Sequence, residues 1–263
     1  MNFSANKNIE SLNNPEYKFL VSLKKNRNRK TSNKSISEGY RECYQLIESK
    51  YDVDTLYFCR ELFIGDNNQY LLDEYKKKDV RTVEVSKKVF NALSYRDRPD
   101  GFLSLFNTEY SNIPLEINGP ILVPDQIEKP GNLGTMIRTA KSFGINNIFL
   151  SDEITDIFNP NVIRSSIGHV FNMNIWSGQN NEIINFLKSN NYQILLLDPA
   201  GNVDLENFKP DNNFALIVGA EQYGISDGWF EIENVTLSIR STNNVDSLNA
   251  ATAAAIGMWE LTK

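Results

Sequence analysis

The stretch 128-EKPGNLGTMIRTAKSFG-144 sets an asparagine, an arginine and two glycines into the first half of a helical pattern. A glycine-containing loop that leads from a strand into a helix points backbone N–H groups at whatever lies above the helix, and so favours an anion there. Gly131 and Gly134 would let a ligand approach the backbone closely. Arg138 can direct a planar set of donors at a phosphate. The simpler alternative is an ordinary strand-to-helix turn followed by a surface arginine.

A second cluster, 218-VGAEQYGIS-226, follows an apolar run that predicts a strand. The strand would end at Gly219, whose lack of a side chain lets a ligand pack on the backbone. Glu221 and Gly224 come just beyond it. The alternative is a strand–turn–helix junction in which the glycines only turn the chain.

A third cluster lies in 238-SIRSTNNVDSLNAATAAAIGMW-259, where Ser247 and Asn249 stand just before a helix rich in alanine. Either side chain could simply be the N-cap of that helix. Alanines at a helix start are also what close helix packing needs. Each of the three clusters alone is therefore a weak signal of a functional site.

The surrounding pattern alternates between helices and strands in two blocks. Before residue 107 it predicts helices at 7–30, 38–50, 67–78 and 87–94 and strands at 54–59, 80–86 and 101–106. After the break it predicts strands at 120–125, 147–151, 170–176, 192–198, 214–220 and 235–240, with helices at 132–143, 160–166 and 180–189 and from about 248. The segment 107–120 contains Pro114, Gly119 and Pro120, which predicts a linker between two domains, residues 1–110 and 111–263.

Short β-rich runs that alternate with helices predict an α/β fold. Its C-terminal part would be a mainly parallel sheet covered on both faces, beside a smaller N-terminal α/β domain. Sites in such sheets form at the carboxyl edge, where the strands end. The three clusters fall at that edge.

The net charge of −6 argues against nucleic acid as a partner, but the charge is unevenly distributed. The window from Tyr17 to Ser37 contains no Asp or Glu. Its basic residues are Lys18, Lys24, Lys25, Arg27, Arg29, Lys30 and Lys34. If they share a face they could neutralise several phosphates. The RNA-contacting candidates are Lys24, Lys25, Arg27, Arg29 and Lys30, and the alternative is a solvated basic arm.

The composition disfavours several other classes of protein. The longest apolar runs, such as 194-ILLL-197 and 214-FALIV-218, are too short to cross a bilayer. The N-terminus lacks the charged and apolar regions of a secretory signal. Cys43 and Cys59 have no CxxC or Cys/His spacing, so they indicate reduced thiols in a cytoplasmic protein and no metal site.

In their order and spacing, the three clusters resemble the motifs of the SpoU/TrmH branch of the SPOUT RNA methyltransferases. The first motif matches Asn132, Gly134, Arg138, Thr139 and Ala140, the second matches Gly219, Glu221 and Gly224, and the third matches Ser247, Leu248 and Asn249. The stretch 159–175 also resembles the segment between the first two motifs. Residues 11–20 and 37–42 are similar to the ribosomal-protein-like substrate-binding domain of many rRNA 2′-O-methyltransferases.

The resemblance implies that residues 1–110 bind the RNA substrate and that residues 111–263 are the catalytic domain, folded as a deep trefoil knot. It implies S-adenosylmethionine as the methyl donor, bent in the knot and held largely by backbone groups. The implied contacts are Gly219, Ile239, Leu248 and the loop after Leu197. No metal is implied, because a sulfonium is already a good leaving group. The resemblance also implies a homodimer, since the family's active site is usually completed across one.

The implied reaction is attack of a ribose 2′-hydroxyl on the activated methyl group. The family gives the role of proton acceptor to the arginine at position 138, which is chemically awkward because a guanidinium is almost always protonated. We therefore expect Arg138 to orient the hydroxyl and the adjacent phosphate and to stabilise the developing oxyanion. The residues expected to fix Arg138 and the target ribose are Asn132, Glu221, Ser247 and Asn249.

Several features depart from the family pattern, among them a loosely preserved Gly/Glu signature in the N-terminal part. Ala250, Ala251 and Thr252 follow the third motif, where the family often has a β-branched residue and then Ser or Ala. His169, the single histidine, stands where small residues are common. Its flanks, a helix end and a strand start, favour a packing or surface role over that of a base.

The favoured function is methylation of structured RNA, with ribosomal RNA as the first substrate, antibiotic-resistance methylation as one purpose and transfer RNA as the second substrate. A catalytically silent RNA-binding or ribosome-assembly protein of the same fold is an alternative that the complete motif set disfavours. A dinucleotide-dependent oxidoreductase is a further alternative, which the lack of GxGxxG in 131-GNLG-134 disfavours.

Overall fold

The computed structural model describes residues 8–240 and 248–263, and these fall into two compact units. The first unit comprises the described residues up to Glu109 together with Phe158–Asn172. The second comprises Tyr110–Ile157 and the described residues from Met173 onward. The segment Phe158–Asn172 therefore groups with the N-terminal unit, although it lies inside the predicted range 111–263. No helix in the described ranges is long and apolar enough to cross a membrane.

The first unit is built on a mixed sheet. Its described strands are β1 (Asn8–Ile9), β2 (Lys34–Glu38), β3 (Val53–Phe58), β4 (Arg81–Val85) and β5 (Phe102–Asn107). Their order is β1-β4-β3-β5-β2, with β1, β4 and β3 parallel and β5 antiparallel to both of its neighbours. The sequence pattern predicts β3, β4 and β5 but misses the other two. The strand β1 is only two residues long, and β2 buries the serines Ser35 and Ser37 where a pattern search expects apolar residues.

The helices of the first unit's N-terminal chain are α1 (Pro15–Ser22), α2 (Asn26–Ser32), α3 (Tyr40–Ile47), α4 (Asn68–Lys77) and α5 (Lys87–Leu93). The last three agree with the predicted helices. The single helix predicted at 7–30 is wrong, because β1 occupies its start and two short helices occupy the rest. Pro15 can begin a helix but not continue one. Asn14 caps α1 by accepting a hydrogen bond from Glu16 N at 2.8 Å.

Helices cover both faces of this sheet. The helices α1 and α5 contribute Leu20, Leu23, Val89 and Phe90 to one apolar cluster, and α3 and α4 contribute Cys43, Ile47, Leu71 and Leu72 to another. The segment Phe158–Asn172 joins this unit through aromatic contacts. The ring of Tyr51 meets those of Phe158 and Phe171 edge to face, with centroids 5.7 and 5.5 Å apart. These contacts explain why a segment distant in sequence packs with the N-terminal chain.

The second unit is built on a parallel sheet. Its described strands are β6 (Ile121–Pro124), β7 (Asn147–Ser151), β8 (Asn174–Gly178), β9 (Gln193–Leu197), β10 (Val203–Asp204), β11 (Phe214–Val218) and β12 (Val235–Ser238). All neighbours are parallel, in the order β10-β12-β9-β11-β6-β7-β8. The predicted α/β fold with a parallel sheet is confirmed. The apolar runs in β9 and β11 lie inside the sheet and are buried, as a continuous apolar sequence indicates.

The remaining helices are α6 (Pro130–Ser142), α7 (Pro160–Ser165), α8 (Asn180–Ser189) and α9 (Ala250–Leu261), of which α7 belongs to the first unit. The strand predicted at 170–176 is wrong in its bounds. A 3₁₀ turn occupies His169–Asn172, and β8 begins only at Asn174. Gly168, with a φ of +76°, leads into that turn, and His169 is half-buried within it.

Both faces of the second sheet are also covered. On one face, α8 joins an apolar cluster that includes Ile183, Leu187 and Trp229. On the other, α9 approaches so closely that a Cβ added at Gly257 would lie 3.2 Å from Cδ2 of Leu216. The helices α6 and α9 pack side by side, with the rings of Phe143 and Trp259 5.6 Å apart. This layering brings the start of α6 and the start of α9 to the carboxyl edge of the sheet.

Candidate active site

Three segments meet at the carboxyl edge of the second sheet, and the carboxylate of Glu221 lies where they meet. Asn132, in the first turn of α6, donates a hydrogen bond from Nδ2 to Glu221 Oε1 at 2.7 Å. Asn249, directly before α9, donates to the same oxygen at 2.5 Å and to Asn132 Oδ1 at 3.1 Å. One polar residue from each of the three sequence clusters, namely Asn132, Glu221 and Asn249, thus belongs to a single hydrogen-bonded group.

Asn249 has two roles, because its amide has a donor end and an acceptor end. It is the N-cap of α9, and its Oδ1 accepts hydrogen bonds from Ala251 N at 3.0 Å and Thr252 N at 3.3 Å. The Nδ2 end is then directed at Glu221 and Asn132. The capping interpretation and the site interpretation of Asn249 are therefore both compatible with its geometry.

A tight turn after β11 presents Glu221. Ala220 and Gly224 exchange two backbone hydrogen bonds of 3.0 Å each across the turn. Gly224 has a φ of +68°, in the region that favours glycine. A Cβ added at Gly219 would lie 2.2 Å from the carbonyl carbon of Gly224, so no larger residue fits unless the turn opens. These two glycines let the chain reverse close to the strand end.

Lys129 also belongs to this hydrogen-bonded group, although it lies outside the three sequence motifs. It is the N-cap residue of α6, and its Nζ forms an ion pair and hydrogen bond with Glu221 Oε2. The side chain of Lys129 is 67% exposed and that of Glu221 is 25% exposed. The hydrogen bonds from Lys129 and then from Asn132 lower the pKa of Glu221 below its ordinary value. The available sequence signal was a lysine three positions before the motif asparagine.

A cavity of about 250 Å³ lies beside this group. Its lining residues are Leu197, Asp198, Pro199, Val218, Gly219, Ala220, Glu221, Gly224, Ile225, Ile239, Arg240, Leu248, Ala250 and Ala253. The four residues predicted to bind a cofactor, namely Leu197, Gly219, Ile239 and Leu248, all belong to the wall. A largely apolar concave wall with a few polar groups at its margin is typical of a small-molecule site.

Another part of the cavity wall depends on a second close approach of backbones. The turn after β9 is held by hydrogen bonds from Ala200 N to Asp198 Oδ1 at 2.8 Å and from Gly201 N to Asp198 O at 3.0 Å. A Cβ added at Gly201 would lie 2.6 Å from the carbonyl carbon of Leu237 in β12. The turn therefore rests directly on the end of β12, from which the chain continues to Ile239 in the cavity wall.

Arg138 lies apart from the Glu221 group. It is exposed on α6, six residues beyond Asn132, which places it about 120° around the helix axis from that asparagine. Its guanidinium makes no hydrogen bond or ion pair with any residue in ranges 8–240 and 248–263. The asparagines and Glu221 fix one another and do not fix Arg138, so the role of Arg138 stays a prediction. Ser247 lies outside the described residues.

The basic window of the first unit presents four of its five predicted RNA-contacting side chains to solvent, namely Lys24, Lys25, Arg27 and Lys30. Arg29 differs from these four side chains because it is buried, which corrects the prediction that it contacts RNA. It is only 3% exposed, and its Nη1 donates hydrogen bonds to Leu23 O at 2.9 Å and Lys24 O at 3.3 Å. Because its guanidinium satisfies backbone carbonyls between α1 and α2, Arg29 stabilises the chain there and is not available to a phosphate.

Cysteines and metal-binding groups offer no further chemistry in the described part of the chain. Cys43 and Cys59 are both buried free thiols, and burial raises the pKa of each. Residues 8–240 and 248–263 contain no group of three or more His, Cys, Asp or Glu side chains placed to hold a metal ion.

Two protein-family models together match most of the chain. A model of the SpoU rRNA Methylase family matches residues 119–259, which contain all three motif segments. A model of the MRM3-like substrate binding domain matches residues 14–104. The two matches together cover both blocks of the strand and helix alternation.

Individual relatives agree with these matches. The chain is 26% identical to the 23S rRNA (guanosine(2553)-2′-O)-methyltransferase RlmP of Bacillus subtilis, over 97% of this chain and 99% of that protein. It is 30% identical to the 23S rRNA (adenosine(1067)-2′-O)-methyltransferase of Streptomyces azureus, over 54% of each chain. A crystal structure of an AdoMet-bound rRNA methyltransferase from Sinorhizobium meliloti superposes with a TM-score of 0.86 at 26% identity, over 97% of this chain and 96% of that one.

Proposed function

The chain belongs to the SpoU rRNA Methylase family, and from that membership we propose that it transfers a methyl group from S-adenosylmethionine to a ribose 2′-hydroxyl in structured RNA. One observation carries the proposal for this particular chain. The polar residues of three separate segments, Asn132, Glu221 and Asn249, are joined by hydrogen bonds at the margin of a cavity. The convergence lies at the carboxyl edge of a parallel sheet, where ligands bind in open α/β folds.

The residues that line the cavity suit S-adenosylmethionine. Gly219 belongs to the wall, and a Cβ there would disrupt the turn that forms this part of it. Leu197, Ile239 and Leu248 supply apolar contacts. The charged residues of the wall are two carboxylates, Asp198 and Glu221, and one cation, Arg240, and this acidic excess suits a positively charged ligand. When bound, S-adenosylmethionine supplies a methyl group on a sulfonium, so that the leaving group is a neutral thioether.

The chain's own task is to position the acceptor hydroxyl. In the transfer, the 2′-oxygen gains the methyl group and its proton leaves to solvent. Arg138 remains protonated throughout, because a guanidinium does not give up its proton in proteins. Its donors therefore orient the hydroxyl and a neighbouring phosphate and stabilise the negative charge that develops on oxygen. The exposure of Arg138 and its lack of a described partner leave it available for an incoming RNA.

We further propose that the protein is a homodimer whose catalytic domain, residues 111–263, is a trefoil knot of the SPOUT type. Exposed apolar side chains on α9 support the dimer. They include Ile256, which is 37% exposed, and Trp259, which is 54% exposed. Exposed apolar residues on a helix that packs beside α6 suit contact with a second copy. The return of α9 from β12 to the side of α6 is compatible with a knotted path.

We propose ribosomal RNA as the substrate, bound by a domain of residues 1–110. Two observations support this choice. The MRM3-like substrate binding domain match covers residues 14–104, and Lys24, Lys25, Arg27 and Lys30 are exposed within it. Action on ribosomal RNA would place the protein in the cytoplasm. Antibiotic-resistance methylation is one purpose within this proposal, and transfer RNA is the second substrate.

The experiment that tests the function is incubation of the protein with labelled S-adenosylmethionine and separated rRNA and tRNA pools. Nuclease digestion and mass spectrometry then identify the modified nucleotide. The proposal predicts a single 2′-O-methylated ribose, in the rRNA pool. Cofactor binding without transfer to any RNA would instead favour a catalytically silent RNA-binding or ribosome-assembly protein.

A further inference from the structure

Both carboxylate oxygens of Glu221 are held by the start of the same helix. Lys129 Nζ binds Oε2, and Asn132 Nδ2 donates to Oε1 at 2.7 Å. The two residues are three apart in sequence, on either side of the first residues of α6. The carboxylate is thus fixed at both ends, and its Oε1 is turned toward Asn249, which donates to it at 2.5 Å.

This arrangement determines the orientation of both asparagine amides. An ionised carboxylate can only accept hydrogen bonds, so Asn132 and Asn249 must each present Nδ2 to Glu221. The Oδ1 of Asn249 then remains free to cap α9. Protonation of Glu221 would weaken this choice, because the oxygen that carries the proton would become a donor and no longer require Nδ2 of its asparagine partner.

The charge of Lys129 is the feature that neutral partners cannot replace. Without it, the carboxylate of Glu221 would be held by two amides alone, and a proton would bind it more readily. The other charged side chains along the cavity wall are Asp198 and Arg240. Arg240 forms a 3.9 Å ion pair with Glu206, so Lys129 is the cation that directly contacts Glu221.

We propose that Lys129 is a positioning residue of this site, which fixes the Glu221 carboxylate so that it holds Asn132 at the start of α6 and Asn249 at the start of α9 in one arrangement. Lys129 lies outside the three sequence motifs. Its consequence for catalysis rests on the proposed function, because α6 carries Arg138 and α9 borders the cavity. The hydrogen-bonded arrangement that Lys129 stabilises does not depend on that function.

The first test uses the side-chain amide ¹⁵N signals of Asn132 and Asn249, followed by NMR as the pH is lowered. In the wild type these signals should change at the low pH at which Glu221 is protonated. In Lys129→Met the midpoint should move to higher pH, because a nearby positive charge is lost. Lys129→Arg should keep the wild-type midpoint, and Lys129→Gln is a second neutral variant that should behave like Lys129→Met. Lys141→Met, which removes a lysine further along α6, is the matched control.

The second test measures methyl transfer by the same variants. Lys129→Met should lower kcat by about tenfold through misplacement of the two helix starts, with a smaller change in the affinity for S-adenosylmethionine. The acid limb of its pH profile should move up by the same interval as the amide midpoint, and Lys129→Arg should recover most of kcat.

The outcomes separate the inference from the proposed function. An unchanged amide midpoint in Lys129→Met and Lys129→Gln overturns the inference whether or not the protein methylates RNA. A shifted midpoint in a protein that methylates no RNA supports the inference and overturns the proposed function. A shifted midpoint with kcat within twofold of the wild type overturns the positioning role.

Discussion

Gly219 and Gly224 are in backbone contact across the turn that follows β11, so close that a Cβ at Gly219 would lie 2.2 Å from the carbonyl carbon and oxygen of Gly224. The turn begins at the end of the strand, carries Glu221 and forms part of the cavity wall. A single methyl group at this position therefore tests whether the cavity is the cofactor site.

Gly219→Ala should open the turn and weaken S-adenosylmethionine binding at least ~10-fold, with a stability loss of about 1–3 kcal/mol from the steric clash. Isothermal titration calorimetry and urea unfolding measure the two effects. Gly131→Ala is the control, because a Cβ there has no neighbour within 4 Å and Gly131 lies outside the cavity wall. Equal cofactor affinity in Gly219→Ala and the wild type would show that the ligand binds elsewhere.

Asn249 allows the cap of α9 to be separated from the contact with Glu221. Asn249→Ala removes both, and should cost about 1 kcal/mol of stability and lower kcat about 10- to 100-fold. Asn249→Asp keeps an acceptor for Ala251 N but places a second carboxylate against Glu221. We expect Asn249→Asp to regain the cap without regaining activity. Recovery of methyl transfer by the aspartate variant would contradict the role given to Nδ2.

The exposed cations of α2 and the residue before it should govern the salt dependence of RNA binding. Simultaneous replacement of Lys25, Arg27 and Lys30 by alanine should reduce the slope of log affinity against log salt concentration by about two units, because each bound phosphate releases counterions. Affinity for S-adenosylmethionine should not change. The matched control replaces Lys76 and Lys77 of α4, which pair with Asp73 and Glu74. An unchanged salt slope in the triple variant would exclude this surface from the RNA contact.

Buried carboxylates of the first unit should make its stability depend on pH. Burial raises the pKa of Glu42 above its ordinary value of 4.5, despite an ion pair with Arg96 at 2.7 Å. The folded state therefore binds this proton more tightly than the unfolded state does. Its contribution to stability is present at and below about pH 4.5 and is lost as the pH rises through the raised value.

Glu42→Gln removes that titration while keeping the shape of the side chain. The stability of the wild type relative to Glu42→Gln, measured by urea unfolding at pH 4.5 and pH 7, should fall as the pH rises. A relative stability that increases with pH would mean that the ion pair with Arg96 outweighs the effect of burial.

Much of the second unit could be predicted from the sequence because its signals are local. The apolar runs of β9 and β11 identify interior parallel strands without knowledge of their neighbours. Parallel strands share a carboxyl edge, so three clusters that each follow a strand or precede a helix must meet there. The convergence of Asn132, Glu221 and Asn249 follows from that reasoning.

The features that the sequence did not predict depend on contacts between distant residues. Nothing near Phe158–Asn172 indicates that it packs with Tyr51 and the first unit. The serines of β2 are buried because Ser35 Oγ donates to Phe158 O at 2.6 Å, a partner far along the chain. Arg29 looks like its basic neighbours in sequence, and only the carbonyls around it distinguish a buried arginine from an exposed one.

The most direct test of the account is single-turnover methyl transfer to rRNA by the wild type and by Arg138→Ala, each saturated with S-adenosylmethionine. The account predicts that the variant binds the cofactor and unfolds like the wild type, since Arg138 is exposed and its guanidinium makes no hydrogen bond or ion pair with a described residue. Its rate of methyl transfer should nevertheless fall at least ~100-fold, through loss of the donor that orients the hydroxyl and stabilises the oxyanion. A rate close to that of the wild type would contradict the account.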